Sequence, residues 1–218
     1  MALSLPVVLA SNFNGTNKAY AKFAASKDSC RQCALFNSYQ QVVQSEGNIE
    51  NPTFMIVGEA PGADEVEQGR PFVGQAGQRL RQTLRKHIDV FNVATTLISN
   101  VIPCRPENNK FPQNPHLVTH CRDDWLVPEV ELVKPKILIT LGGTPLRYLL
   151  GLDRITANRG QWLPVQVGNL QLWAFPTYHP SYVIRCERSK QLDIVQEFEN
   201  DFAQIASEYQ SQMNQPIH

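Results

Sequence analysis

Hydrophobic positions along the chain fall into short, nearly unbroken runs separated by stretches of helical spacing. Thr53-Phe54-Met55-Ile56-Val57 runs into Gly58-Glu59-Ala60-Pro61-Gly62, the pattern of a buried strand spilling into a loop. Thr96 to Val101 and Lys136 to Leu141 repeat it, the second entering Gly142-Gly143-Thr144, and Leu170 to Phe175 is a fourth such run. Between them, Gly77 to Val90 places Leu80, Leu84 and Ile88 at i, i+4 and i+8, and Trp125 to Val133 places Leu126, Val130 and Val133 on one helical face before Pro135 stops it. Thr144 to Leu150 predicts a short helix, Asn158-Arg159-Gly160 a turn, and Leu192, Val195, Phe198, Phe202 and Ile205 one face of a closing helix. Strands alternating with helices predict an α/β fold: a three-layer sandwich whose central, mainly parallel four-stranded sheet carries helices on both faces. In such folds sites gather at the carboxyl ends of the strands.

Length and composition narrow this further. At 218 residues, one compact domain is the expectation. Residues 1–29 lack a strong period, although Tyr20, Phe23 and Ala24 are spaced to share one helical face; we read 1–29 as a docked extension, 30–209 as the domain and 210–218 as a polar tail. The chain is 42% hydrophobic and 18% charged, with 20 Lys and Arg against 20 Asp and Glu, which excludes a disordered chain and a polybasic tail. No apolar run reaches the roughly 18 residues of a membrane span, and Met1 to Ala10 lacks the basic start of a signal peptide, so a soluble, cytoplasmic, monomeric protein with no membrane partner is expected. Local charge is less even. Between residues 70 and 110, Arg70, Arg79, Arg81, Arg85, Lys86, Arg105 and Lys110 face only Asp89 and Glu107, which predicts a local basic face.

Five cysteines are an odd count for a disulfide framework, and a reducing compartment leaves them as thiols unless a metal takes them. Cys30-Arg31-Gln32-Cys33 forms a close pair, Cys104 and Cys121 stand far downstream, and Cys186 has no partner in the pattern. Four thiolates can hold a 4Fe-4S cluster or a zinc ion, and spacing does not separate the two.

Four loops, taken in order, carry a likeness. They are Gly58-Glu59-Ala60-Pro61-Gly62 with Gly69-Arg70-Pro71-Phe72-Val73-Gly74, then Asn100 through Cys104-Arg105-Pro106, then Leu141-Gly142, then His179-Pro180-Ser181-Tyr182. Together they resemble the family-four uracil-DNA glycosylases with an iron-sulfur cluster, over roughly residues 30 to 200. The family commonly has Cys-Arg-Pro-Pro-x-Asn-Arg-x-Pro, whereas this chain reads Cys104-Arg105-Pro106-Glu107-Asn108-Asn109-Lys110-Phe111-Pro112. The resemblance implies hydrolysis of the N-glycosidic bond of deoxyuridine in single- or double-stranded DNA, and a 4Fe-4S cluster on Cys30, Cys33, Cys104 and Cys121, with Cys186 unliganded. It also implies a uracil pocket of Gly58, Glu59, Glu65, Phe72, Asn100 and His179, with Glu59, Asn100 and His179 catalytic. Glu65 takes the place of the residue that crowds uracil C5 and keeps a thymine methyl out.

The chemistry fits those residue types. A reader of flipped uracil needs an aromatic face, an amide for the N3-H and O4 edge, and a donor near O2 where charge collects as the bond breaks. Phe72, Asn100 and His179 supply these, because an Asn amide can accept N3-H and donate to O4 while cytosine presents the reverse pattern. Pro61, Gly142, Gly143, Ser181 and Tyr182 bring backbone or hydroxyl groups toward phosphates, and Arg185 follows them toward the minor groove. Related enzymes activate water with an Asp two residues after the first loop's glycine; Ala60 stands there, leaving Glu59 as the nearest carboxylate, unless Glu59 caps the following helix. Two other readings stay open on sequence: a non-catalytic DNA-binding or polymerase-associated module of the same fold, and a covalent uracil-DNA trap with His116 as nucleophile.

Overall fold

The computed structural model describes residues 15–33, 35 and 41–217. Its elements, in chain order, are α1 (Gly15–Asp28), β1 (Glu46–Gly47), β2 (Phe54–Gly58), α2 (Ala63–Gln68), α3 (Gln75–Arg85), β3 (Thr96–Asn100), α4 (Pro115–Cys121), α5 (Val127–Val133), β4 (Ile137–Leu141), α6 (Gly143–Leu150), α7 (Ile155–Asn158), β5 (Leu163–Val167), β6 (Leu170–Thr177), α8 (Pro180–Arg188) and α9 (Leu192–Met213). The sheet order is β1-β3-β2-β4-β6-β5. The four strands expected from sequence are its parallel centre, β3-β2-β4-β6, and the expected count is corrected to six by two antiparallel edges. β1 is only two residues long. β5 contains Pro164 and alternates half-buried with exposed positions, so it never forms an apolar run; it turns into β6 through Gly168-Asn169, with Gly168 at φ 56°.

Period-two alternation divides the core between the two faces of the sheet. Met55 and Val57 point to one face with Leu97, Leu138, Val118, Leu126 and Val130, where α1, α4 and α5 pack. Phe54 and Ile56 point to the other with Leu80, Ile139, Phe175, Phe198 and Phe202, covered by α3 and α9. Two expected core positions are corrected: Ile88 is 47% exposed because α3 ends at Arg85, and Leu192 is 62% exposed at the first residue of α9. The boundary drawn at 209 falls inside α9, whose Gln212 is buried.

The helix expected from Trp125 begins ten residues earlier. Asn114 Oδ1 accepts the His116 N–H at 3.0 Å and Pro115 opens the first turn, a cap and N1 proline that start α4. A π-helical turn over Arg122–Leu126 joins α4 to α5, with the Val127 N–H reaching the carbonyl of Arg122. Pro128, which has no N–H to give, sits one residue beyond this wider turn. On the same face, the carboxylate of fully buried Glu129 accepts from Tyr20 Oη at 2.6 Å, Ser99 Oγ at 3.1 Å and Lys27 Nζ at 3.3 Å, which docks α1 to the sheet as the spacing of Tyr20 and Phe23 implied. No helix among the described residues is long and apolar enough to cross a membrane.

Candidate active site

Parallel pairing sets Gly58 beside Asn100 and Leu141 beside Thr177, so the loops that leave β2, β3, β4 and β6 open at one edge of the sheet. There they enclose a cleft of about 340 Å³. Glu59, Glu65, Phe72, Asn100 and His179 all line it, together with Pro61 and Ser181. Gly58 lies behind them: a Cβ on it would come within 2.4 Å of Phe72 Cζ and 2.6 Å of Asn100 Oδ1, so glycine is what lets the ring and the amide close on the strand.

Asn100 Oδ1 is buried and has no hydrogen-bond partner among the described residues. A buried acceptor left unpaired costs about 1–3 kcal/mol, which a ligand N–H in the cleft would relieve. His179 is the N-cap of α8, and its Nδ1 accepts the Ser181 N–H at 3.2 Å with Ser181 Oγ at 2.8 Å. That bond makes Nδ1 the acceptor nitrogen and leaves the ring proton on Nε2. Burial pushes the His179 pKa down to about 4, with Arg185 adding to the effect. The Phe72 and His179 rings stand 6.1 Å apart. Gly142, at φ 86°, lies against the His179 Cβ, which a side chain there would meet at 2.9 Å. Behind the loop, buried Asp201 on α9 accepts from Thr177 Oγ1 at 2.6 Å and from Arg159, fixing the strand end that delivers His179.

Glu59 does not cap α2. Its Oε2 accepts the Thr144 hydroxyl at 2.5 Å, across 85 residues, from the first turn of α6. Glu65 is no solvated acid: one oxygen accepts the Val73 and Gly74 N–H groups at 2.8 and 2.7 Å, and the other accepts that of Gly62 at 3.0 Å. Of the residues assigned to phosphates, Gly142, Gly143, Tyr182 and Arg185 do not line the cleft; the Arg185 guanidinium stands over the Tyr182 ring with Nη1 3.5 Å from Ser181 Oγ. His116 is exposed on the first turn of α4 and does not line the cleft. The expected basic face is partly offset from outside its window. Arg70 and Arg81 are paired with Glu46, and Arg79 and Lys86 with Glu199, acids that lie outside the 70–110 window.

Among the four candidate cysteine ligands, Cys104 and Cys121 are buried and Cys30 and Cys33 half-buried. Burial, reinforced by the neighbouring cysteines including Cys33 and Cys30, pushes the thiols of Cys104 and Cys121 up to about 12. Among the described residues no three His, Cys, Asp or Glu side chains stand close enough to share a single metal ion. Cys186 is buried in α8 beside Tyr182.

The sequence profile of the Uracil DNA glycosylase superfamily matches residues 44–203, which span all six strands of the described sheet and all four cleft loops. The chain belongs to that superfamily. It is 34% identical over 168 residues to a type-4 uracil-DNA glycosylase of Thermotoga maritima, covering 75% of this chain and 81% of the relative. It is 36% identical over 165 residues to a type-4 uracil-DNA glycosylase of Pyrobaculum aerophilum (72% and 80%), and 34% over 158 residues to one of Sulfurisphaera tokodaii (70% of each). Within this glycosylase frame the cleft also holds residues that local sequence does not single out. Gln75 and Asn109 line it, and Asn109 Oδ1 accepts from Arg105 Nε at 2.8 Å. Thr144 is a further case, since its partner Glu59 is remote in the chain.

A neutral His179 has a consequence for pH. Its folded pKa lies below the ordinary 6.5, so the ring stays uncharged until the pH nears 4. The stability gained by keeping it neutral is whole above about pH 6.5 and declines as the pH falls toward 4. Single-turnover cleavage should therefore show no limb near pH 6.5 that belongs to His179. A limb between about pH 6 and 7 that His179→Gln removes would contradict the assigned tautomer and charge.

Proposed function

We propose that this chain is a monofunctional uracil-DNA glycosylase that takes a flipped deoxyuridine from single- or double-stranded DNA and hydrolyses its N-glycosidic bond, starting base-excision repair. The observation that carries the reading is the unpaired, buried Oδ1 of Asn100, a residue that lines the cleft with Phe72 and His179. Uracil stacks on Phe72; Asn100 Oδ1 accepts N3-H while its NH2 donates to O4. As C1′–N1 breaks, the bonding pair moves onto the base and charge collects at O2, where the His179 Nε2–H donates. Such a donor is worth more in the transition state than in the ground state, typically about 2.7–4 kcal/mol. Water attacks C1′ of the oxocarbenium-like sugar, its oxygen stays on the abasic sugar, and the proton it sheds passes through solvent to the uracil anion. Ala60 supplies no base. Glu59, held by Thr144, keeps its second oxygen for the sugar cation or the incoming water. Glu65 lines the C5 side of the ring, and Pro61, Ser181 and Arg185 meet phosphates at the rim.

Cys30, Cys33, Cys104 and Cys121 would hold a 4Fe-4S cluster, whose part when bound is to tie the amino-terminal segment to the loop after β3. Their proximity supports a shared site, since Cys30 and Cys33 both raise the thiol pKa of Cys104 and of Cys121, and four such thiolates suit iron and sulfur or zinc.

Incubation with a uracil-bearing oligonucleotide, then alkali and a denaturing gel, tests the activity. Strand scission is expected, and Asn100→Asp should lower it by at least about fivefold, given about 1–3 kcal/mol for each group left unpaired. An intact strand would favour a binding module and a band resisting denaturation a covalent trap. For the cluster, anaerobically purified protein should be brown with about four irons per chain. Colourless protein with stoichiometric zinc would contradict it.

A further inference from the structure

Phe72, the stacking face, adopts φ 54°, a left-handed backbone that a bulky side chain rarely takes. Something must hold it there, and the structure shows a grip on each side of the residue. On one side, Arg81 of α3 donates from Nε to the Phe72 carbonyl at 2.9 Å and from Nη2 to the Pro71 carbonyl at 3.1 Å. On the other, Glu65 Oε1 takes the next two N–H groups, those of Val73 and Gly74. Helix α3 comes so close that a Cβ on Gly77 would fall 1.9 Å from the Phe72 carbonyl carbon and oxygen. The Arg81 guanidinium, 13% exposed, is balanced by Glu46 at 3.3 Å, and Arg70 engages the same carboxylate in a fork at 2.8 and 3.0 Å. An arginine that spends its fork on two adjacent carbonyls and shares a protein acid with a second arginine is not arranged to meet a phosphate.

We infer that Arg81, backed by Glu46 and opposed by Glu65, is a positioning residue that fixes the backbone of Phe72 and so sets the affinity of the cleft for uracil. Without the Arg81 fork the Phe72 peptide can relax out of the left-handed region, and the ring then leaves its seat against Gly58 for the space the base occupies. A merely structural arginine predicts a different outcome: lower stability with an unchanged base site in the protein that remains folded.

The inference rests on Phe72 being the uracil platform, and the test separates the two. Inhibition by free uracil and single-turnover cleavage are measured for Arg81→Met, Arg81→Lys and Phe72→Ala, alongside binding of a uracil-free duplex and thermal melting. Arg81→Met should raise the uracil inhibition constant about tenfold and slow cleavage, with duplex affinity within about twofold of the parent. Arg81→Lys, which keeps the charge and the fold but cannot span both carbonyls, should raise the constant by at least about threefold. Uracil inhibition within about twofold of the parent in the folded Arg81 variants, while Phe72→Ala weakens it, would overturn the clamp alone. If Phe72→Ala also leaves uracil inhibition unchanged, the platform reading falls and the clamp with it.

Discussion

The in-register parallel pairing of β3, β2, β4 and β6 is the constraint on which everything else in this molecule depends. It brings four loops to one edge and fixes their heights to within a residue, so that Gly58 and Asn100 are direct neighbours and Leu141 adjoins Thr177. A slip of one residue would turn Asn100 to the opposite face of the sheet and bury apolar side chains in the cleft. The register is in turn held by cores on both faces, where β2 and β4 have no exposed residue at all.

Around that edge, the cleft residues proposed to read the base are each held by a second group drawn from elsewhere in the chain. Ser181 orients His179, Thr144 holds Glu59, and Glu65 binds the loop after Phe72. Asp201 and Arg159 secure the end of β6. The result is a cleft whose donors and acceptors are set in advance of any ligand, which lowers the cost of ordering them on binding. Asn100 Oδ1 is the exception, and its lack of a partner is what marks the cleft as a place for an N–H.

The central strands were legible because strands buried on both faces read as continuous apolar runs. β1 and β5 were not, since one is two residues long and the other is half-exposed and carries Pro164. Phe72, Asn100 and His179 could be singled out because each stands in or beside a loop at a strand end. The groups that hold them could not: Glu46 meets Arg81 across 35 residues and Glu59 meets Thr144 across 85, and no local pattern encodes such pairs. For the same reason the basic face expected between residues 70 and 110 omits its partly compensating acids: Glu46 and Glu199, both outside that window, each pair with two of its cations.

The central claim is that the cleft reads the N3-H and O4 edge of uracil through Asn100, with N1 directed outward to the sugar. Competition of free bases against cleavage of uracil DNA tests it directly. Uracil and 1-methyluracil should inhibit alike, whereas 3-methyluracil, which has no N3-H, should inhibit at least about fivefold more weakly, the loss expected when a buried acceptor stays unpaired. Equal inhibition by 3-methyluracil would mean that Asn100 does not read that edge.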